Sequence, residues 1–173
     1  MDFLFTPWRY AYITTANAPG GCLFCGLIHP ENAQPKNDQT KADQTKDDEK
    51  SLIVHRAKNC FVMLNAFPYT SGHVMIVPYE HVDELIKLSQ PAAQEMMELT
   101  QRMEGILREL YRPDGINLGM NLGKAAGAGV AGHIHMHILP RWFGDVNFMS
   151  SVGETRVLPE DLQTTYKRIR AKF

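Results

Sequence analysis

Between residues 89 and 111 apolar side chains return every three or four positions. Met96, Leu99, Met103, Ile106, Leu107 and Leu110 fall on one stripe, and mostly polar residues fill the other positions, which predicts an amphipathic helix. Ser89 stands where an N-cap is needed, Pro91 lies inside the first turn, and Arg112-Pro113-Asp114-Gly115 closes the helix as a turn. On either side the pattern changes to short apolar runs and alternation. Residues 51–55, 59–65 and 72–78, then 116–121 and 132–142, predict five strands, the first two joined by a tight turn. A second helix is expected over 160–171. Strands, a long helix, then more strands describe an α+β fold whose antiparallel sheet has one face covered by the helix.

Two segments break this pattern. From residue 30 to 50 the chain is polar, with the imperfect duplication Asp38-Gln39-Thr40-Lys41 and Asp43-Gln44-Thr45-Lys46 and no large apolar residue. Such a stretch buries too little surface to offset its ordering entropy, so it is expected to be a mobile insertion within a single domain spanning 1–173. Residues 3–13 are aromatic-rich but aperiodic. They suit an arm packed over the domain or over a second subunit, or simple core packing by Trp8, and periodicity does not separate these.

Composition narrows the classes. With 173 residues, 44% of them hydrophobic, the chain can bury one sizeable core. A net charge of −1 and a pI near 6.6 give no global basic field, which argues against an extended nucleic-acid footprint. No run of eighteen apolar residues and no basic leader is present, so neither a membrane span nor a signal peptide is expected and the protein reads as cytoplasmic. Three cysteines make a poor disulfide framework. Two of them, in Gly20-Gly21-Cys22-Leu23-Phe24-Cys25-Gly26, have the spacing of a redox or metal knuckle.

The chemistry concentrates in His133-Ile134-His135-Met136-His137-Ile138. Strand alternation would place the three imidazoles on one face and the apolar residues on the other. A polar sheet face, or a small metal clip, explains one or two histidines better than three. The preceding run, residues 121–132, opens with Asn121 and carries Gly127 and Gly129, and its glycines allow backbone N–H groups to close on an anion. Displacement at a phosphorus needs a nucleophile that is neutral and unprotonated near neutral pH, which imidazole provides, and donors aimed at the developing charge.

The H-x-H-x-H run behind a Gly-rich loop resembles the histidine triad (HIT) family of nucleotidyl hydrolases and transferases. Pro140-Arg141-Trp142-Phe143-Gly144-Asp145, together with Trp8-Arg9, is similar to its branch of diadenosine-polyphosphate phosphorylases. The resemblance implies a HIT-like α+β fold, a homodimer with Met96, Met103 and the aromatic N-terminus as apolar contact surface, and a nucleotide or dinucleoside polyphosphate substrate. It implies His135 as the nucleophile that forms a nucleotidyl-histidine, and His137 as the partner of the transferred phosphoryl group or the leaving oxygen. Asn121, Gly127 and Gly129 would lie around the phosphates and Asn65 at the ribose, although Asn65 also suits a simple turn cap. Arg141 and Trp142 would support the site or touch substrate. Members of the superfamily hold zinc with a C-x-x-C, a histidine after a Pro-x-x-His strand end and the first triad histidine. Cys22, Cys25, His81 and His133 match those places, so a structural zinc and no organic cofactor are expected; the plainer alternative is two packed thiols and a solvated His81. One departure is Gly127-Ala128-Gly129-Val130, where many family hydrolases carry a polar Gln, Ser or Thr. Two other classes stay open: a nucleotide-binding scaffold with incidental turnover, and a zinc-stabilised interaction module.

Overall fold

The computed structural model describes residues 21–28, 47–153 and 157–173. The aromatic N-terminal run and most of the 30–50 insertion lie outside them. Of that insertion only 47–50 is described, as a helical turn. Asp48 there is buried and pairs with Arg56 at 2.8 Å and Arg170 at 3.7 Å, so this end is tied to the domain.

Five antiparallel strands form one sheet: β1 (Ile53–Arg56), β2 (Cys60–Leu64), β3 (Val74–Pro78), β4 (Gly115–Gly119) and β5 (Met136–Arg141), in the order β1-β2-β3-β5-β4. Among the described residues, and besides the turn at 47–50, the helices are α1 (Leu23–Ile28), α2 (Gln90–Tyr111), α3 (Phe148–Ser151) and α4 (Leu162–Arg170). The long helix begins where the pattern predicts. Ser89 accepts from the Ala92 amide, Pro91 stands in the first turn, and Arg112 ends the helix in a left-handed conformation. The last helix is shorter than expected because Asp161 caps it, accepting from Thr164 N at 2.9 Å. No helix among the described residues is long and apolar enough to cross a membrane.

The apolar stripe of α2 packs on the even-numbered residues of β5 and its approach, Ile134 and Ile138, and on Val62, Leu64, Val74 and Ile76 of the central strands. Met96 and Met103 are 3% and 0% exposed. They belong to this core and cannot supply a dimer surface, because the sheet already takes the face that carries them. A second correction concerns the sheet itself. Every residue of β2 and β3 is buried, so both faces of the centre are covered. Phe24 of α1, with Ile53, Phe61, Met63, Met75, Val77 and Val130, forms a smaller cluster on the side away from α2. Alternation alone could not foresee that lid, since it comes from a segment distant in sequence.

The triad run is also not one continuous strand. Pairing in β5 starts at Met136; upstream, the Ile134 amide donates to Val82 O at 2.8 Å, beyond the end of β3. The alternation nonetheless survives, with Ile134 and Ile138 facing α2.

Gly72 precedes β3 with φ at +78°, and a Cβ there would meet Tyr111 Cε2 at 3.1 Å, Leu107 Cδ2 at 3.2 Å and Pro140 Cγ at 3.2 Å. Gly72→Ala is therefore expected to cost roughly 2–4 kcal/mol, from the left-handed backbone and overpacking together. A urea midpoint that falls with an unchanged m-value would show it; an unchanged midpoint would contradict it.

Candidate functional site

On the face away from α2, the triad approach and β5 bring His133, His135 and His137 together, and hydrogen bonds assign the tautomer of each. His133 Nε2 lies 2.9 Å from the Pro78 carbonyl and therefore carries a proton, leaving Nδ1 free to coordinate. His135 Nδ1 lies 2.9 Å from the His133 carbonyl and donates to it, so the lone pair of His135 sits on Nε2. His137 is held the opposite way by a residue that periodicity did not single out. The Tyr69 amide donates to His73 Nδ1 at 3.2 Å, so His73 carries its proton on Nε2 and donates it to His137 Nδ1 at 2.9 Å. The proton of neutral His137 must then be on Nε2. Adjacent imidazoles, 4.7 Å apart between ring centroids, thus present an unprotonated nitrogen on one and an N–H on the other.

Burial reinforces this. It pushes the pKa of His73 down to about 3 and that of His137 down to about 4, with further lowering from neighbouring histidines, and lowers that of His135 as well. In the unfolded chain His73 and His137 take up protons near pH 6.5, whereas in the fold they stay neutral well below it. Stability is fully present above that pH and is expected to fall as pH drops from about 6.5 toward 4, by up to about 1.4 kcal/mol per pH unit for each histidine. Urea titrations at pH 7, 6, 5 and 4 should show a shallower loss in His73→Gln, and parallel profiles would remove this account.

Asn65 stands just after β2. Its Oδ1 accepts from Phe67 N at 3.0 Å, closing a turn, and its Nδ2 lies 3.3 Å from His73 Nδ1. It therefore caps the turn and sits beside the His73–His137 pair. Asn121 follows β4, half-exposed. Gly127, at φ +86°, ends the 3-10 turn Lys124–Ala126, its amide 3.0 Å from the Lys124 carbonyl. Gly129 lies two residues on, where the loop descends to Val130 in the smaller apolar cluster. Arg141 grips Asp145 through Nε at 2.6 Å and a terminal nitrogen at 3.0 Å, while its other terminal nitrogen reaches Asn117 of β4 at 2.9 Å. That bidentate clamp holds the turn carrying Trp142.

The knuckle packs at the other end of the triad. Cys22 Sγ is 3.3 Å and Cys25 Sγ 3.6 Å from His133 Nδ1, and Cys25 Sγ is 3.2 Å from His81 Nδ1. All four ligand atoms lie within 4.8 Å of one another. Corners of a tetrahedron built on zinc bonds of about 2.0–2.3 Å are about 3.3–3.8 Å apart, so the donor set fits a closed Cys2His2 site. Burial pushes the Cys22 thiol up, but hydrogen bonding from His133 and backbone outweighs it and brings it down to about 6. Phe24, between the two cysteines, sets its ring against both His133 and His135, at 5.3 and 5.0 Å. Its place in the site had no signal in the pattern beyond its position inside the knuckle.

The family model described as HIT domain matches residues 46–144, more than half of the chain. The chain belongs to the histidine triad family. Among its relatives, a protein named AP-4-A phosphorylase from Mycobacterium tuberculosis is 35% identical over 170 residues, covering 98% of this chain and 83% of that one. A bis(5'-adenosyl)-triphosphatase from Saccharomyces cerevisiae is 32% identical over 91 residues, 52% of this chain and 44% of the relative. A zinc-bound histidine triad family protein from Mycobacterium smegmatis superposes with a TM-score of 0.63 at 25% identity, over 88% of this chain and 92% of the other. The α+β HIT fold expected from the sequence is thus the fold of the protein.

Proposed function

We propose that this HIT protein is a nucleotidyl transferase or hydrolase that acts at the α-phosphorus of dinucleoside polyphosphates such as diadenosine tetraphosphate. The observation that carries the proposal is the pair of opposed tautomers. His135 donates Nδ1–H to the His133 carbonyl, which leaves a neutral lone pair on Nε2, and His137 accepts from His73 at Nδ1, which leaves Nε2–H as a donor. His135 Nε2 attacks the α-phosphorus, an N–P bond forms, and the P–O bond to the leaving polyphosphate breaks. The leaving oxygen takes the electron pair and meets the His137 N–H. Water or inorganic phosphate then attacks the same phosphorus, breaking the N–P bond and freeing His135. Backbone groups around Asn121, Gly127 and Gly129 would hold the phosphates and Asn65 the ribose. The names of the relatives from M. tuberculosis and S. cerevisiae support this substrate class.

Zinc is the metal we assign to Cys22, Cys25, His81 and His133. With all four positions filled by protein, it would order the knuckle against the triad and leave the reaction to the imidazoles. The zinc-bound neighbour from M. smegmatis supports the assignment. A homodimer belongs to the same reading. With Met96 and Met103 in the core, the support shifts to β4, one of the sheet's two edge strands, where Leu118 is 50% exposed. A scattering mass of two chains is expected, and a monomer at micromolar concentration would remove this part.

The deciding experiment incubates the protein with diadenosine tetraphosphate, with and without inorganic phosphate, and identifies products by mass. ATP with AMP marks hydrolysis and ATP with ADP marks phosphorolysis. Unchanged substrate in both tubes would overturn the proposal.

A further inference from the structure

The spacing of Cys22 and Cys25 suits redox chemistry as well as metal binding, and a zinc site uses only the second property. The fold separates these two cysteines from the third. Cys60 is buried against α2, its thiol donating to the Ala92 carbonyl at 3.5 Å, and is shut away from solutes. Cys22 and Cys25 are partly exposed and stand beside Gly21, which is exposed as well. A small oxidant therefore reaches the pair and not Cys60.

The pair also has the geometry of a disulfide. Cys22 stands at the head of α1, its carbonyl accepting from the Gly26 amide at 3.0 Å, so one helical turn separates it from Cys25. Residues three apart on a helix have Cα atoms about 5 Å apart, inside the ~4.4–6.8 Å that a disulfide spans. The two sulfurs lie within 4.8 Å of each other and both face His133 Nδ1, at 3.3 and 3.6 Å. Closure needs rotation of the side chains alone.

The sulfurs cannot serve both purposes at once. A thiolate is a zinc ligand and a disulfide sulfur is not, so closing the bond leaves the ion His81 and His133 only. That change reaches the candidate nucleophile directly. His133 meets the sulfurs through Nδ1 and holds His135 through its carbonyl at 2.9 Å. Phe24, between the two cysteines, is 1% exposed and sets its ring against both histidines.

We propose that Cys22 and Cys25 are a reversible dithiol–disulfide pair, closed by a peroxide, whose closure expels the metal and loosens His135; the expulsion rests on the zinc assignment and the effect on His135 on the proposed reaction. One thiolate attacks a peroxide oxygen, an S–O bond forms as the O–O bond breaks, and hydroxide leaves with the electron pair. The second thiolate attacks that sulfur, the S–S bond forms, the S–O bond breaks, and a second hydroxide leaves. Two thiolates and hydrogen peroxide thus become one disulfide and two hydroxides: the sulfurs lose two electrons, the peroxide gains them, and zinc departs as its divalent ion. A dithiol reductant returns both thiols and is itself oxidised to a disulfide.

The test treats purified, metal-loaded protein with a small excess of hydrogen peroxide and follows released zinc with a chromogenic chelator alongside the intact mass. The expected result is a loss of about 2 Da per chain, one zinc released with it, and a cross-linked Cys22–Cys25 peptide. Turnover of diadenosine tetraphosphate should fall about 10-fold, and dithiothreitol with added zinc should reverse every change. Cys60→Ser should behave as wild type, whereas Cys25→Ser should gain oxygen at Cys22, about 16 Da or more, because no second thiol resolves it. A pair that stays reduced, a wild-type mass that rises, or a disulfide that leaves zinc bound or turnover unchanged overturns the proposal. Protein that is metal-free as purified overturns the zinc assignment instead, and the cross-linked peptide then decides the pair by itself. Protein inert toward diadenosine tetraphosphate before oxidation overturns the enzymatic reading.

Discussion

His135→Ala is expected to lower turnover of diadenosine tetraphosphate on the order of 10⁴-fold or more, while nucleotide affinity changes by no more than about threefold. The asymmetry follows from where the imidazole sits. Its Nδ1 is bound to the His133 carbonyl, and its ring rests against Phe24 and His137, so the group offered to substrate is one lone pair. Removing it deletes the covalent step and leaves the phosphate and ribose contacts in place. His137→Asn should cost less, about 10²–10³-fold, because an amide keeps a donor near the leaving oxygen but lacks a transferable proton. Product formation by mass, paired with a binding isotherm for a non-reactive nucleotide, measures both. An alanine variant that keeps a tenth of wild-type activity would exclude His135 as the nucleophile.

The second large effect concerns the metal. Protein purified without a histidine tag or chelator is expected to carry one zinc per chain by elemental analysis. Cys22→Ser and His81→Ala should both lose it, with a fall in thermal midpoint on the order of 10 °C. The comparison is informative because His81 is exposed and contributes little packing, so its loss acts through the metal. His133 is buried, holds Pro78 through Nε2, and lends its carbonyl to His135. Loosening its Nδ1 side should therefore lower turnover as well as stability. Metal-free protein of full stability would leave the four residues as a packed thiol–imidazole cluster.

Much of the fold was legible along the chain because its signals are local. Ser89, Pro91 and the stripe from Met96 to Leu107 determine a helix whatever it packs on, and the alternation of Ile134 and Ile138 with histidines survives although β5 starts only at Met136. The candidate nucleophile and the metal donors were visible through motif spacing and family resemblance. His73 lies in the predicted strand 72–78 but has no motif of its own. Its role depends on Nε2 lying 2.9 Å from His137, across 64 positions of sequence. The methionines show the opposite failure: apolar stripes look alike whether they face a core or a partner, and Met96 and Met103 face the core.

The sequence by itself determined the element types, the caps of the long helix, the imidazole face and the chemical character of the donors, since each depends on side-chain identity and on spacings of two to four residues. Only the tertiary structure decided which histidine nitrogen carries each proton, because a tautomer is set by the partner of the other nitrogen, and those partners are His133 O, Pro78 O and His73. It alone closed Cys22 on His133 over 111 positions and laid Phe24 across the second face of the sheet. Contacts of that range depend on how packed elements meet, which no local period encodes.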